Sequence, residues 1–235
     1  MPMPTSEPNH QDLADRWYAL LTAARDGADG PDPAPYGENL LARWAEPHRR
    51  YHSTAHLRAV LDRTDELLAQ PGEPGTGEHP RTVAGAVDAS AVRLAAWFHD
   101  AVYRPDRSEN EERSARLAER ALPEAGVGQA RTAEVARLVR LTVTHDPAPG
   151  DLAGAVLCDA DLAVLAGSPE AYAHYAAEVR QEYAFVPDDA FRAGRADVLR
   201  QLLALPSLFR TPYARDRWES RARHNLRTEL ELLGA

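Results

Sequence analysis

Apolar residues recur at three- and four-residue intervals along most of the chain, with no convincing run of alternating β-branched residues. The pattern predicts an all-α fold. Residues 50–69 carry Ala55, Leu57, Val60, Leu61, Leu67 and Leu68 on one stripe. Residues 88–102, with Val92, Leu94, Ala95, Ala96 and Phe98, read as one of the more buried helices. Helices are also expected over 109–122 and 132–143, with Ser108 and Thr132 as caps. Residues 152–165 are apolar on nearly every side apart from Asp159 and Asp161, and 170–183 is helical again. With segments before and after these, the chain makes about nine helices in a single domain over 1–235. The breaker-rich stretch 71–80 predicts a loop, and residues 1–12 a flexible start.

Composition narrows the function more than the fold. The chain has 27 basic and 36 acidic side chains and a net charge of −9, which disfavours nucleic-acid polymers and anionic membranes as partners. All 27 basic residues are arginine. The absence of lysine removes the phosphate-loop lysine, imine-forming catalysis and the serine–lysine dyad. A single cysteine, Cys158, excludes an intrachain disulfide and a thiolate zinc cluster, and it has no evident base beside it. No stretch approaches the ~18 apolar residues of a membrane span, and the first residues lack the order of a secretory signal. A cytoplasmic protein is expected.

The chemistry-bearing residues form an ordered set. His52 and His56 stand four positions apart, so on one helix they share a face. His99 and Asp100 are adjacent and follow the apolar run from Leu94 to Phe98. Asp159 and Asp161 interrupt the most apolar helix downstream, and two residues turn a helix by roughly 200°, so the two acids face different ways. Imidazole nitrogen with carboxylate oxygen suits a divalent ion such as Mg, Mn, Fe, Co, Ni or Zn. Each residue alone has an ordinary reading as a surface histidine, a buried ion pair or a capping acid; their joint order points to a metal site.

The order His56, then His99 with Asp100, then Asp161, on an all-helical chain, resembles the HD superfamily of metal-dependent phosphohydrolases. The strings from Arg50 to His56, from Trp97 to Tyr103 followed by Glu109-Asn110-Glu111, and from Cys158 to Leu162 are similar to a bacterial branch of that superfamily. The resemblance runs from about Trp17 to Leu233. It implies a helical bundle of the HD/phosphodiesterase type, with His56, His99, Asp100 and Asp161 as ligands to a divalent ion that activates water. Asp161 is favoured over Asp159 because the string from Ala160 to Ala163 sits where the superfamily places its last ligand. Tyr51-His52 followed by His56 is similar to cyclic-nucleotide phosphodiesterases, which implies that His52 is the general acid. Tyr103, Arg104, Pro105 and Asp106 depart from the His-Pro-Gly of those enzymes, so their specificity is not implied. His145 lies where superfamily members place a second-metal or phosphate-binding residue. Glu111 is positioned to orient a ligand or hold water, and Arg50, Arg104 and Arg107 to hold a substrate phosphate.

The resemblance therefore implies a hydrolase of a small phosphorylated substrate, a nucleotide being the first guess, with a homo-oligomer left open. Two other readings share the residues. An HD-type diiron oxygenase needs extra histidines between the His-Asp pair and the final aspartate, where the sequence offers only His145. A non-catalytic helical module could bind a metal or nucleotide without turnover.

Overall fold

The structure, a computed structural model, describes residues 7–72 and 82–234 of the 235. Among these it is all-helical. Ten α-helices follow in order: α1 (Glu7–Ala23), α2 (Ala34–Trp44), α3 (Thr54–Leu68), α4 (Ala89–Phe98), α5 (Asn110–Glu124), α6 (Gln129–Leu141), α7 (Leu152–Leu162), α8 (Pro169–Glu182), α9 (Asp188–Ala204) and α10 (Pro212–Leu232). Short 3-10 turns occupy Val83–Gly85 and Ala163–Ala166. No single helix among the described residues is long and apolar enough to cross a membrane; the bent pair of α7 and α8 passes that test by length and composition only.

Four helices start where a side-chain oxygen meets an otherwise free amide. Asp88, Asp151, Ser168 and Thr211 accept from the amides of Ala91, Gly154, Ala171 and Ala214 at 3.0, 2.9, 3.2 and 3.3 Å. The caps expected at Ser108 and Thr132 are not formed. The boundary of α5 falls at Glu109, and that of α6 at Gly128. Thr132 lies inside α6, its hydroxyl donating to the Gly128 carbonyl at 3.1 Å. Residues 7–12 form the first turns of α1. There Gln11 reaches Asp15 at 2.8 Å and Asp12 pairs with Arg58. The 71–80 loop lies almost entirely outside the described residues, as do residues 1–6.

Helix α4 is the most enclosed element. Leu94, Ala95, Ala96, Trp97 and Phe98 are all buried, and α4 packs against α1, α3, α5, α6 and α7. The apolar core draws on all ten helices. An aromatic layer backs the C-terminal end of α4: the Trp17 ring meets Trp97 edge-on at 5.2 Å, and the Trp44 indole donates to the Trp97 carbonyl at 3.0 Å. The close approach of α2 to Trp17 requires a glycine, since a Cβ on Gly37 would fall on the indole ring. Gly37→Ala is expected to destabilise the protein by about 1–3 kcal/mol, read as a lower midpoint in urea unfolding; an unchanged midpoint would show that α2 can shift freely.

Candidate metal centre

Three helices deliver the central side chains. His56 comes from the first turn of α3, His99 from the C-terminal boundary of α4 and Asp161 from the end of α7. Their donor atoms lie within 4.8 Å of one another. His56 Nε2 is 3.2 Å from His99 Nε2 and 3.1 Å from Asp161 Oδ1, and His99 Nε2 is 3.6 Å from the same oxygen. Donors ~2.1 Å from one ion stand roughly 3.0 Å apart at right angles and 3.4 Å apart at the tetrahedral angle. Two of the three separations fall in that range and the third, 3.6 Å, lies just above it, so the set could hold a metal ion.

The surroundings prepare these atoms for a cation. His99 Nδ1 donates to the Ala96 carbonyl at 2.8 Å, which turns the lone pair of Nε2 toward the cluster. Burial, aided by the nearby His99 and His52, lowers the pKa of His56 despite Asp161 and favours the neutral, ligating form. Burial alone would raise Asp161, but His99, His145 and His56 hold it well below the ordinary carboxylate range. The donor set is thus the Nε2 atoms of His56 and His99 and an ionised Asp161 carboxylate.

Asp100 stands beside this group rather than within it. Its Oδ2 is 3.4 Å from His99 Nε2 and 3.9 Å from His52 Nε2. His145 takes the far side of Asp161, with Nε2 2.8 Å from Oδ2. It does so from a left-handed backbone conformation, φ 49°, in the turn after α6, a geometry uncommon outside glycine that the close bond to Asp161 helps to hold.

The other acid of α7 is excluded as a ligand by its own bonds. Asp159 is fully buried and accepts from the amides of Arg210 and Thr211 and from the Thr211 hydroxyl, each at 2.7 Å. It ties α7 to the start of α10, facing away from the histidines. Cys158 is buried too, and burial pushes its thiol up, away from nucleophilic use.

His52 is not on the helix expected over 50–69. That helix begins only at Thr54, because the backbone before it is bound elsewhere. The Glu182 carboxylate accepts the amides of Arg50 and His52 at 2.7 and 2.9 Å, and the buried Arg49 guanidinium donates to the His52 and Asp100 carbonyls at 2.9 and 2.8 Å. The same-face argument therefore fails, yet the turn still brings the His52 and His56 rings to 5.7 Å. Glu182 also takes His52 Nδ1 at 2.6 Å and the Tyr103 hydroxyl at 3.0 Å, while the Tyr103 ring stacks on His52 at 4.1 Å. Burial opposes a charged His52, but the bond to Glu182 and the charges of Asp100 and Glu182 outweigh it and raise its pKa. Burial likewise opposes an ionised Glu182, which His52 and the two amides nevertheless hold down to about 2.

His52, His99, Asp100, Glu111, His145 and Asp161 all line one polar cleft of about 280 Å³. Tyr103, Arg107, Ser108, Asn110, Thr142 and Tyr183 complete its walls. Arg50 and Arg104 are not among them, and the Arg50 guanidinium is turned to the Pro47 and Arg49 carbonyls at 2.8 and 2.9 Å. Glu182 escapes the sequence reading entirely. Its only signal is an acid beside Tyr183 at the end of a polar-faced helix, which is common in surface helices. No protein-family model, curated protein or solved structure matches the chain.

Replacing Glu182 tests this arrangement. Glu182→Gln removes the charge that raises His52 while burial remains, so the His52 pKa should fall by about one unit or more, seen in an NMR titration of its ring protons. The depressed Glu182 also contributes stability that is present above its ordinary value of 4.5 and lost as pH falls toward about 2. Denaturation profiles of the wild type should therefore fall more steeply across that window than those of the variant. Coincident profiles and an unmoved His52 would contradict the pairing.

Proposed function

We propose that this protein is a metal-dependent phosphohydrolase of the HD superfamily, acting on a small phosphate ester. The observation that carries the proposal is the meeting of His56, His99 and Asp161, the last two lining a cleft that also holds a raised-pKa histidine, His52, braced by a buried carboxylate. Asp100 is the fourth candidate ligand, beside His99. A divalent ion held by these residues would polarise phosphoryl oxygens and lower the pKa of a water molecule near it.

The chain's own groups supply the rest of the chemistry. With Nδ1 committed to Glu182, His52 directs Nε2 toward Asp100 and the cleft. A protonated His52 can then donate a proton to the departing ester oxygen. The stacked Tyr103 ring and the carboxylate of Glu182 fix the plane of the imidazole, so little reorientation is needed. His145 fixes Asp161, leaving Oδ1 directed at the two histidines. Glu111, at the cleft wall, is placed to accept a hydrogen bond from a water or a substrate hydroxyl.

The test is phosphate release from nucleotides and from simple phosphate mono- and diesters, with stripped protein alone and after addition of Mg, Mn, Co, Ni, Zn or Fe(II). Turnover should appear only with metal. Asp161→Ala should lose both bound metal and activity. His52→Ala should keep the metal and lose about 10²–10⁴-fold in kcat. Turnover that survives in stripped protein or in Asp161→Ala would overturn the proposal, as would silence with every metal and substrate.

A further inference from the structure

We propose that Arg107 is the oxyanion anchor of the cleft and that it selects phosphate monoesters over diesters. This deepens the phosphohydrolase reading and rests on it. The arginines around the site have separate assignments. Arg49 is buried and fully occupied by backbone carbonyls and Glu46, Arg50 is bound to the Pro47 and Arg49 carbonyls, and Arg140 pairs with Glu112 and Glu119. Arg107 alone among the arginines lines the cleft of the described residues, and its guanidinium makes no hydrogen bond or ion pair there, although Asp100, Glu111 and Asp161 line the same walls.

The backbone beneath Arg107 is held firmly. The buried Asn110 side chain accepts the Arg104 amide at 3.0 Å and donates to the carbonyls of Arg104 and Arg107 at 2.9 and 3.1 Å. Ser114 accepts the Val102 amide at 3.0 Å and donates to the Val102 carbonyl at 3.3 Å, closing the start of the same loop. The loop backbone is therefore fixed at the cleft wall, and the exposed Arg107 guanidinium, which no acid holds, is left available to a ligand. Pinning the backbone removes part of the ordering cost of ligand binding and leaves only the side-chain rotamer to be set.

The chemistry of the fork gives the substrate class. A planar guanidinium binds two oxygens of a phosphoryl group side by side. A monoester has three peripheral oxygens, so one is left to face the side of His56, His99 and Asp161. A diester has only two, and the fork would consume both. The cleft volume, about 280 Å³, lies just below the range of about 300–1,000 Å³ typical of sites for drug-sized ligands, and so suits the phosphoryl group of a compact monoester.

The test uses the full chain loaded with Mn(II), with inorganic phosphate as the binding probe and phenyl phosphate and diphenyl phosphate as substrates. In equilibrium dialysis, Arg107→Ala should weaken phosphate binding about 10- to 100-fold while bound metal and the thermal midpoint stay at wild-type values. Arg107→Lys, which keeps the charge but not the fork, should recover only part of the loss. In turnover, Arg107→Ala should raise KM for phenyl phosphate by a comparable factor with little change in kcat, and should raise rather than lower the rate on diphenyl phosphate, whose two free oxygens the fork no longer holds. Unchanged phosphate binding in Arg107→Ala, or equal losses on both esters, would overturn the assignment. Absence of turnover in the wild type together with Arg107-dependent phosphate binding would overturn the hydrolase reading and uphold the anchor.

Discussion

Ionisable side chains at the centre of an apolar helical bundle are tolerated only when every one of them has a partner, and this constraint organises the molecule. Glu182 is the clearest case. Its carboxylate has no exposed side-chain surface, and it accepts two backbone amides, an imidazole nitrogen and a phenol. Those four bonds stop α3 from starting earlier, hold His52 in the turn before it and lock Tyr103 over the ring. The buried Arg49 does the complementary work, joining the carbonyls of His52 and Asp100 and lying over the rings of Trp44 and Tyr103. Asp159 applies the same rule at the other face of α7, so that the two acids of one helix serve different ends.

This satisfaction gives the site its rigidity. His56, His99 and Asp161 come from three elements that pack directly on one another, and each has a further contact that fixes its orientation: Tyr51 at 4.6 Å from the His56 ring, the Ala96 carbonyl for His99, and His145 for Asp161. A site built on packed helices and supported in this way holds its donor atoms close to a productive geometry without a ligand-driven rearrangement. The flexible chemistry is left to the cleft walls, where Arg107 and Glu111 are solvent-accessible.

Most of the fold was legible because helical periodicity is a local signal: α4 and α7 are apolar on enough faces that burial follows from their residues alone. The divergence of Asp159 and Asp161 was legible for the same reason, since helical geometry alone turns them apart. What escaped were features that depend on distant partners. The start of α3 is set by Glu182, 130 residues beyond His52, and no local pattern could displace His52 from the helix. The caps at Ser108 and Thr132 failed because the loop before α5 is fixed instead by Asn110 and Ser114, from inside the helix, and because α6 starts earlier, at Gln129. Arg50 looked like a phosphate ligand by proximity in sequence, whereas its amide and guanidinium are both bound elsewhere.

The central claim is that His56, His99 and Asp161 form a cation site. Anomalous diffraction from crystals of the protein grown with Mn(II) or Zn(II) tests it most directly. The account predicts a single strong peak bounded by His56 Nε2, His99 Nε2 and Asp161 Oδ1. A peak elsewhere, or none at saturating metal, would contradict it.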